Sequence, residues 1–360
     1  MIYIQRGKYY YKVNNNGKKT RIGKNEFYNN VIVYYTKKGQ PYIKNEKGQC
    51  RFVCRHIRKG GGAMAQFNFN KELFHGGLKV FIQDYGQNYI TNLILKVESI
   101  YDNTFRLFHF TKVLGKGSYG SVIELTSACK RFRLAAKIMD NSSVAKEESY
   151  FTDSLQHINC GILKGGVLAK PGDVSLNGQT IKHYIILLEH LDGSLMDIRG
   201  TLSVDTAVGI VREVQKQLLC VVNSNPSYIY KDIKLENIMF GKLPNGRYRV
   251  VVGDLGSFNN KAYTTHCLDS DTTDQCISFL FGILFADLMG INITPLHGRT
   301  AIEMTSKFGK KKYEVAFKTH LQLIYNQVYQ KVKTSGFVNA VNNLHPDPLY
   351  RPRGDTVFAS

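Results

Sequence analysis

Between Tyr230 and Asn237 the segment Tyr230-Lys-Asp232-Ile-Lys234-Leu-Glu-Asn237 places a carboxylate, an ammonium and an amide within six positions. A second carboxylate follows in Val250-Val-Val-Gly-Asp254-Leu-Gly256. Phosphoryl transfer asks for these parts: a carboxylate to orient a hydroxyl, a cation on the moving phosphoryl group, and an amide plus a further carboxylate for Mg²⁺. Each fragment alone is an ordinary polar loop. Their order and spacing give the set its meaning.

Upstream, Leu114-Gly115-Lys-Gly117-Ser-Tyr-Gly120-Ser-Val122 lies between two stretches that read as strands. Glycines there let the backbone turn tightly and bring amide N–H groups close to phosphate oxygens. A dinucleotide fold would need this motif to open a helix, whereas Ser121 to Leu125 reads as strand. Fifteen residues beyond Val122, Lys137 sits in the apolar run Leu134-Ala-Ala-Lys-Ile138. An ammonium on such a strand requires an opposing carboxylate. Glu147 and Glu148 on the following helical stretch are both candidates.

In this order the motifs resemble the eukaryotic-type protein kinase family, from about Phe108 to the C-terminus. The resemblance implies that Gly115, Gly117, Gly120 and Val122 cover ATP, with Leu114 and Ala135 lining its base, and that Lys137 contacts the α and β phosphates. It favours Glu148, nine residues before His157, as the partner of Lys137. Asp232 becomes the catalytic base, Lys234 the γ-phosphate contact, and Asn237 with Asp254 the Mg²⁺ ligands. Leu188 takes the gatekeeper position, and the backbone of Glu189 and Leu191 meets adenine. Near the end, His345-Pro-Asp-Pro-Leu-Tyr-Arg351-Pro352 is similar to the family's Asp-Pro-x-x-Arg-Pro element, whose Arg is structural.

Several features depart from the family pattern. His-Arg-Asp is replaced by Tyr230-Lys231-Asp232, Asp-Phe-Gly by Asp254-Leu255-Gly256, and no Ala-Pro-Glu occurs before the helical stretch at Asp274. Arg351 therefore lacks its usual glutamate, and control by phosphorylation at Thr264, Thr265, Thr272 or Thr273 is not expected. Lys234 two residues after Asp232 is the Ser/Thr-kinase arrangement. The Ile-Lys-x-x-Asn form is similar to casein-kinase-I-like and vaccinia-related-like kinases and to kinases of large DNA viruses. The resemblance thus implies an ATP- and Mg²⁺-dependent Ser/Thr protein kinase acting on protein substrates, viral in origin, in host cytoplasm or nucleus or with the virion. The rival classes are a pseudokinase scaffold and a nucleic-acid or virion-binding protein.

Composition sets the frame for these parts. The 360 residues, 43% hydrophobic and 12% aromatic, suffice for two cored units. The net charge of +20 favours an anionic partner. Residues 1–60 hold fifteen basic and two acidic residues, or +13, which points to nucleic acid or another polyanion meeting that segment. Their Tyr runs and the turns Asn15-Asn16-Gly17 and Lys37-Lys38-Gly39 read as β-hairpins, with a faint repeat at an offset of 31. Arg58 to Gly62 reads as a flexible joint.

Seven scattered cysteines suggest free thiols in a reducing compartment. Cys50, Cys54 and His56, with His75, fall short of a convincing zinc set. No signal segment or membrane span is indicated, the longest apolar run, Cys276 to Ile291, being short and containing Asp287.

The expected fold class is α+β: a bilobal protein kinase fold over 106–360, with a β-rich N-lobe (106–190) and a helical C-lobe (191–360). A small basic β-rich extension (1–60) and accessory strands (61–105) precede it. Helical periodicity marks 144–155, 205–222, 274–289 and 313–332.

Overall fold

The computed structural model describes residues 73–258 apart from 75, 76, 100–104, 118, 128, 129, 131, 231 and 244, then 273–294, 310–333, 342, 344 and 345, and six strands within 2–52. The chain divides into two compact units: Met1–Lys146 with Gly165–His190, and Glu147–Lys164 with Leu191–Ser360.

In the first unit, β1 (Ile2–Arg6), β2 (Tyr9–Val13) and β3 (Lys19–Ile22) form an antiparallel meander. A second meander comprises β4 (Tyr34–Tyr35), β5 (Pro41–Lys44) and β6 (Cys50–Phe52). Shifting the first by 31 residues places its strands on those of the second, so the repeat is one of supersecondary units. Asn15-Asn16-Gly17 and Lys37-Lys38-Gly39, read as turns, lie outside the described residues. Residues 53–56, with Cys54 and His56, and the joint at 58–62 lie outside the described residues.

The largest element is a seven-stranded antiparallel sheet, ordered β12-β13-β11-β10-β9-β8-β7. Its strands are β7 (Leu78–Asp84), β8 (Ile94–Ser99), β9 (Phe105–Gly117), β10 (Gly120–Ser127), β11 (Arg133–Met139), β12 (Gly165–Ala169) and β13 (Tyr184–Glu189). Alternation along β11 sends Leu134, Ala136 and Ile138 to one face, where they bury with Leu95, Val97, Phe108, Ile123, Leu125, Ile185 and Leu187. Each of these side chains larger than alanine contributes roughly 1.5 to 3 kcal/mol by leaving water. The sheet curls until its two ends nearly meet: beyond β12, Leu176 N–H donates to the carbonyl of Ile82 on β7 at 2.8 Å.

In the second unit, α1 (Ser143–Leu155), which starts in the first, contributes Phe151 and Leu155 to the core. α2 (Val204–Ser224) is capped by Ser203, whose Oγ accepts from Thr206 N–H at 3.3 Å. It buries Ala207, Val208, Val211, Val214, Leu218 and Val221 at three- and four-residue spacing. α3 (Thr273–Leu288) is buried around its described length, Phe279 to Leu288, and α4 (Lys310–Val332) adds Leu321, Ile324 and Val328. A small antiparallel sheet, β14-β15-β16, joins Gly193–Ser194, Ile238–Lys242 and Tyr248–Val252.

The bilobal protein kinase fold with a helical C-lobe is therefore corrected. The chain is dominated by a large, nearly closed, barrel-like antiparallel sheet, and four α-helices occur among the described residues. Two physical reasons account for the difference. Strands β7 and β8, read as accessory, extend the sheet beyond a small lobe, β8 laddering onto β9 and β7 onto β8. Residues 191–258, read as mostly helical, spend much of their length in β14 to β16 and 3-10 turns, where Val250-Val251-Val252 favours strand. The four helical periodicities do form helices.

The free-thiol expectation is also corrected for two cysteines. Cys160 and Cys220 are disulfide-bonded across 60 residues, tying the loop after α1 to α2. No helix among the described residues is long and apolar enough to cross a membrane.

Closing a loop of that length restricts the unfolded chain by about 4 kcal/mol on the chain-entropy account. Replacing both cysteines with Ala should lower unfolding stability by roughly 2 to 4 kcal/mol in urea titrations, and dithiothreitol should do the same to the wild type. Unchanged midpoints in both would show that the pair does not close in the protein.

Candidate functional site

In the second unit a 3-10 turn, Leu235–Asn237, folds the Asp232 loop back on itself. Asp232 is only 3% exposed, and its Oδ2 receives two bonds, from Lys234 Nζ at 2.8 Å and from Asn237 Nδ2 at 2.8 Å. The same Nδ2 donates to the Asp232 carbonyl at 2.9 Å. The amide nitrogen is thus committed to Asp232, which leaves Asn237 Oδ1 as a hard oxygen donor.

β15 and β16 carry the second carboxylate to this turn. Ile238 pairs with Val252, and past the end of that ladder Gly253 N–H donates to the Asn237 carbonyl at 2.7 Å. Asp254 then adopts the left-handed region, φ 47° and ψ 63°, one of two described non-glycine residues at positive φ. Such a backbone costs about 1 kcal/mol and persists only where the surroundings impose it. Here Ser257 Oγ donates to Asp254 Oδ2 at 2.6 Å and Ser257 N–H to its carbonyl at 3.0 Å. Two residues on, Gly256 admits Glu148: a Cβ at 256 would lie 2.9 Å from Glu148 Cβ. Helix phase separates the two sequence candidates, Glu148 being buried on α1 while Glu147 is exposed.

Tyr230 underlies the cluster. Its hydroxyl donates to the Gly253 carbonyl at 3.0 Å and its ring packs edge-on against Phe258. Burial first, then the charges of Asp254 and Asp232 and, last, of Glu148, hold the phenol well above its ordinary value of 10.0. The phenol therefore remains a donor across the working pH range.

The first unit holds the other half of the sequence-predicted residues. Gly115, Gly117 and Gly120 lie on the β9–β10 hairpin rather than at a strand-to-helix turn, which excludes the dinucleotide fingerprint. A side chain at Gly115 or Gly117 would meet nothing, whereas one at Gly120 would run into the Ile138 carbonyl. The hairpin thus offers bare backbone at 115 and 117 and needs glycine at 120 for sheet packing. Val122 registers with both Gly115 and Lys137, Ala135 with Leu188, and Lys137 with Ile186. Val122, Ala135, Lys137 and Leu188 thereby share the face of the sheet opposite its main core. Leu114 is exposed at the start of the hairpin, and Glu189 is buried at the end of β13. Leu191, in the second unit, lies 3.4 Å from where a Cβ of Gly241 would be.

Asp254 and Asn237 supply oxygen only, the donor set of a hard divalent cation such as Mg²⁺, which is commonly held by one or two carboxylates with substrate phosphates completing its shell. Among the described residues no group of three His, Cys, Asp or Glu gathers. Lys231, Thr264, Thr265, Thr272, Arg351 and most of the 257–273 segment lie outside the described residues. Sequence reading missed Ser257 and the Tyr230 hydroxyl as supports of the Asp254 turn; the Ser three residues after Asp254 is the one local signal.

No protein-family model matches this chain, and no curated protein does.

Two outcomes follow from this geometry. Asp254→Gly and Asp254→Asn should unfold at higher temperature than Asp254→Ala, by the equivalent of about 1 kcal/mol, because glycine and asparagine accept the left-handed backbone. Equal melting of the Gly and Ala variants would show a relaxed backbone. Tyr230→Phe should cost about 1 to 2 kcal/mol at neutral pH by stranding the Gly253 carbonyl. Because the folded-state pKa is raised, the phenol's contribution is complete below pH 10.0 and is lost as pH climbs from there toward the folded value. Wild type should therefore lose stability above pH 10 more steeply than the Phe variant, as alkaline denaturation will read.

Proposed function

We propose that this chain is a Mg²⁺-dependent Ser/Thr protein kinase, transferring the γ-phosphoryl group of ATP to a protein hydroxyl. The observation that carries the reading is the convergence of Lys234 and Asn237 on Asp232 Oδ2, with Asp254 delivered beside Asn237 by the β15–β16 pair. The sheet architecture is no part of the argument, which rests on side-chain chemistry.

In this reading Asp232 accepts the proton of the substrate hydroxyl as the new O–P bond forms and ADP departs. Its orientation is fixed by Asn237, so the carboxylate does not have to reorganise when the substrate arrives. Lys234, 2.8 Å from Asp232, is the cation assigned to the transferring phosphoryl group, whose negative charge it would offset. Asn237 and Asp254 are the residues that would hold Mg²⁺, which supplies charge neutralisation for the phosphates. In the first unit, the open backbone at Gly115 and Gly117 suits phosphate oxygens, and Lys137 supplies a cation on the same face as Val122, Ala135 and Leu188, whose apolar surface suits a purine. The kinase resemblance assigns Glu148 to Lys137, and Leu114, Gly120, Glu189 and Leu191 to the nucleotide. Residues 1–60, with +13 of the charge, are assigned to a polyanionic partner.

Incorporation of labelled γ-phosphate into casein or myelin basic protein tests the reading. Asp232→Asn, Asp254→Ala and Lys137→Met should each lose at least 100-fold in turnover, roughly 3 kcal/mol in the barrier, while melting near the wild-type temperature. Wild-type protein that binds MgATP without transfer would instead identify a pseudokinase scaffold. Full turnover in Lys137→Met would remove the β11 lysine from the site.

A further inference from the structure

Among the described residues β16 is an edge strand of its sheet: β15 lies on one side, and no third strand lies on the other. Its outer edge must still satisfy the peptide groups of Val250 and Val252, both buried. A side chain takes the place of the missing strand. Gln217, from α2 and only 2% exposed, donates Nε2–H to the Val250 carbonyl at 2.7 Å, while its Oε1 accepts from Val252 N–H at 3.0 Å. A primary amide is the one side-chain group that carries a donor and an acceptor arranged as in a peptide unit, so Gln217 mimics one residue of a paired strand. The second Nε2 hydrogen goes to Glu213 Oε1 at 3.2 Å, which fixes the amide's orientation. Leu163 N–H completes the edge by donating to the Val252 carbonyl at 2.9 Å.

The pinned strand ends two residues before Asp254. Val252 thus sits opposite Ile238 in the ladder, with both its peptide groups bonded outward to Gln217 and Leu163, immediately ahead of the backbone that must enter the left-handed region. Loss of the amide would free the outer edge of Val250 to Val252 and let Asp254 fall back toward ordinary φ.

We propose that Gln217 is a positioning residue for Asp254, acting through the backbone of β16 to set where that carboxylate meets the metal–nucleotide complex. The assignment rests on the proposed function for its ligand, and on the hydrogen bonds alone for its mechanism. Gln217 touches neither nucleotide nor metal.

Three variants test it in the full chain. Gln217→Met keeps the volume and removes both bonds; Gln217→Glu replaces the donor with an oxygen facing the Val250 carbonyl; Val221→Ala, buried in the same helix, is a control for lost stability alone. The Mg²⁺ concentration for half-maximal ADP binding should rise at least fivefold in Gln217→Met, with metal-free ADP affinity within twofold of wild type. Val221→Ala should leave both unchanged at a comparable drop in melting temperature. Hydrogen exchange at the Val252 amide should quicken at least tenfold in Gln217→Met relative to amides deeper in the core.

Should the Met variant not fold, the Glu variant decides. A protonated carboxyl offers both a donor and an acceptor, so its defect relative to wild type should shrink as pH falls from 8 to 6, and a pH-independent ratio would overturn the proposal. An unchanged Mg²⁺ requirement in folded Gln217→Met would overturn it equally. If wild type binds neither ADP nor MgADP, the functional reading fails, and the Val252 exchange rate still decides whether the amide holds the strand.

Discussion

A non-glycine residue in the left-handed region is the constraint around which the second unit is organised. Asp254 does not adopt φ 47° by preference. Its backbone is imposed by the Asn237 carbonyl on Gly253, the Tyr230 hydroxyl on the Gly253 carbonyl, and Ser257 folding back on both the main chain and the carboxylate. Each of these is an ordinary hydrogen bond, worth about 1 kcal/mol net. Together they exceed the local strain. The dense core of α2 and α3 beneath them keeps the donors and acceptors from drifting.

The same region concentrates negative charge where burial makes it expensive. Asp232 and Glu148 are both nearly inaccessible, and Asp254 is close enough to raise the Tyr230 phenol. Buried carboxylates lower stability unless partners offset their charge. Lys234 offsets one of them within the unit. Fold stability in this unit is drawn from the apolar helices instead.

What the sequence made legible was local. Asp232, Lys234 and Asn237 lie within six positions, so one short turn brings them together, and spacing alone revealed it. The glycines of the β9–β10 hairpin and the helical stretches were readable for the same reason. Glu148 could not be separated from Glu147 by residue type, because both are helical glutamates and only the phase of α1 decides which is buried. The Gln217 amide reaches residues 33 and 35 positions away, a contact that no periodicity encodes. The fold class failed for a related reason. The curl that brings β7 toward the far end is non-local, and the disulfide joins cysteines that share no motif.

The curl has a bearing on how this chain behaves among copies of itself. An open seven-stranded sheet would offer two rows of unpaired amides and carbonyls, ready templates for another chain. Bringing the Leu176 amide onto the Ile82 carbonyl, with Gln83 and Asn177 bonded alongside, folds the two margins toward each other. Residues 78–99 then act as a seal, since without them the long β9 strand would itself become a margin. A shortened chain beginning after residue 100 would keep every residue assigned to chemistry and yet expose that strand to intermolecular β-pairing, so its first symptom would be poor solubility rather than poor catalysis.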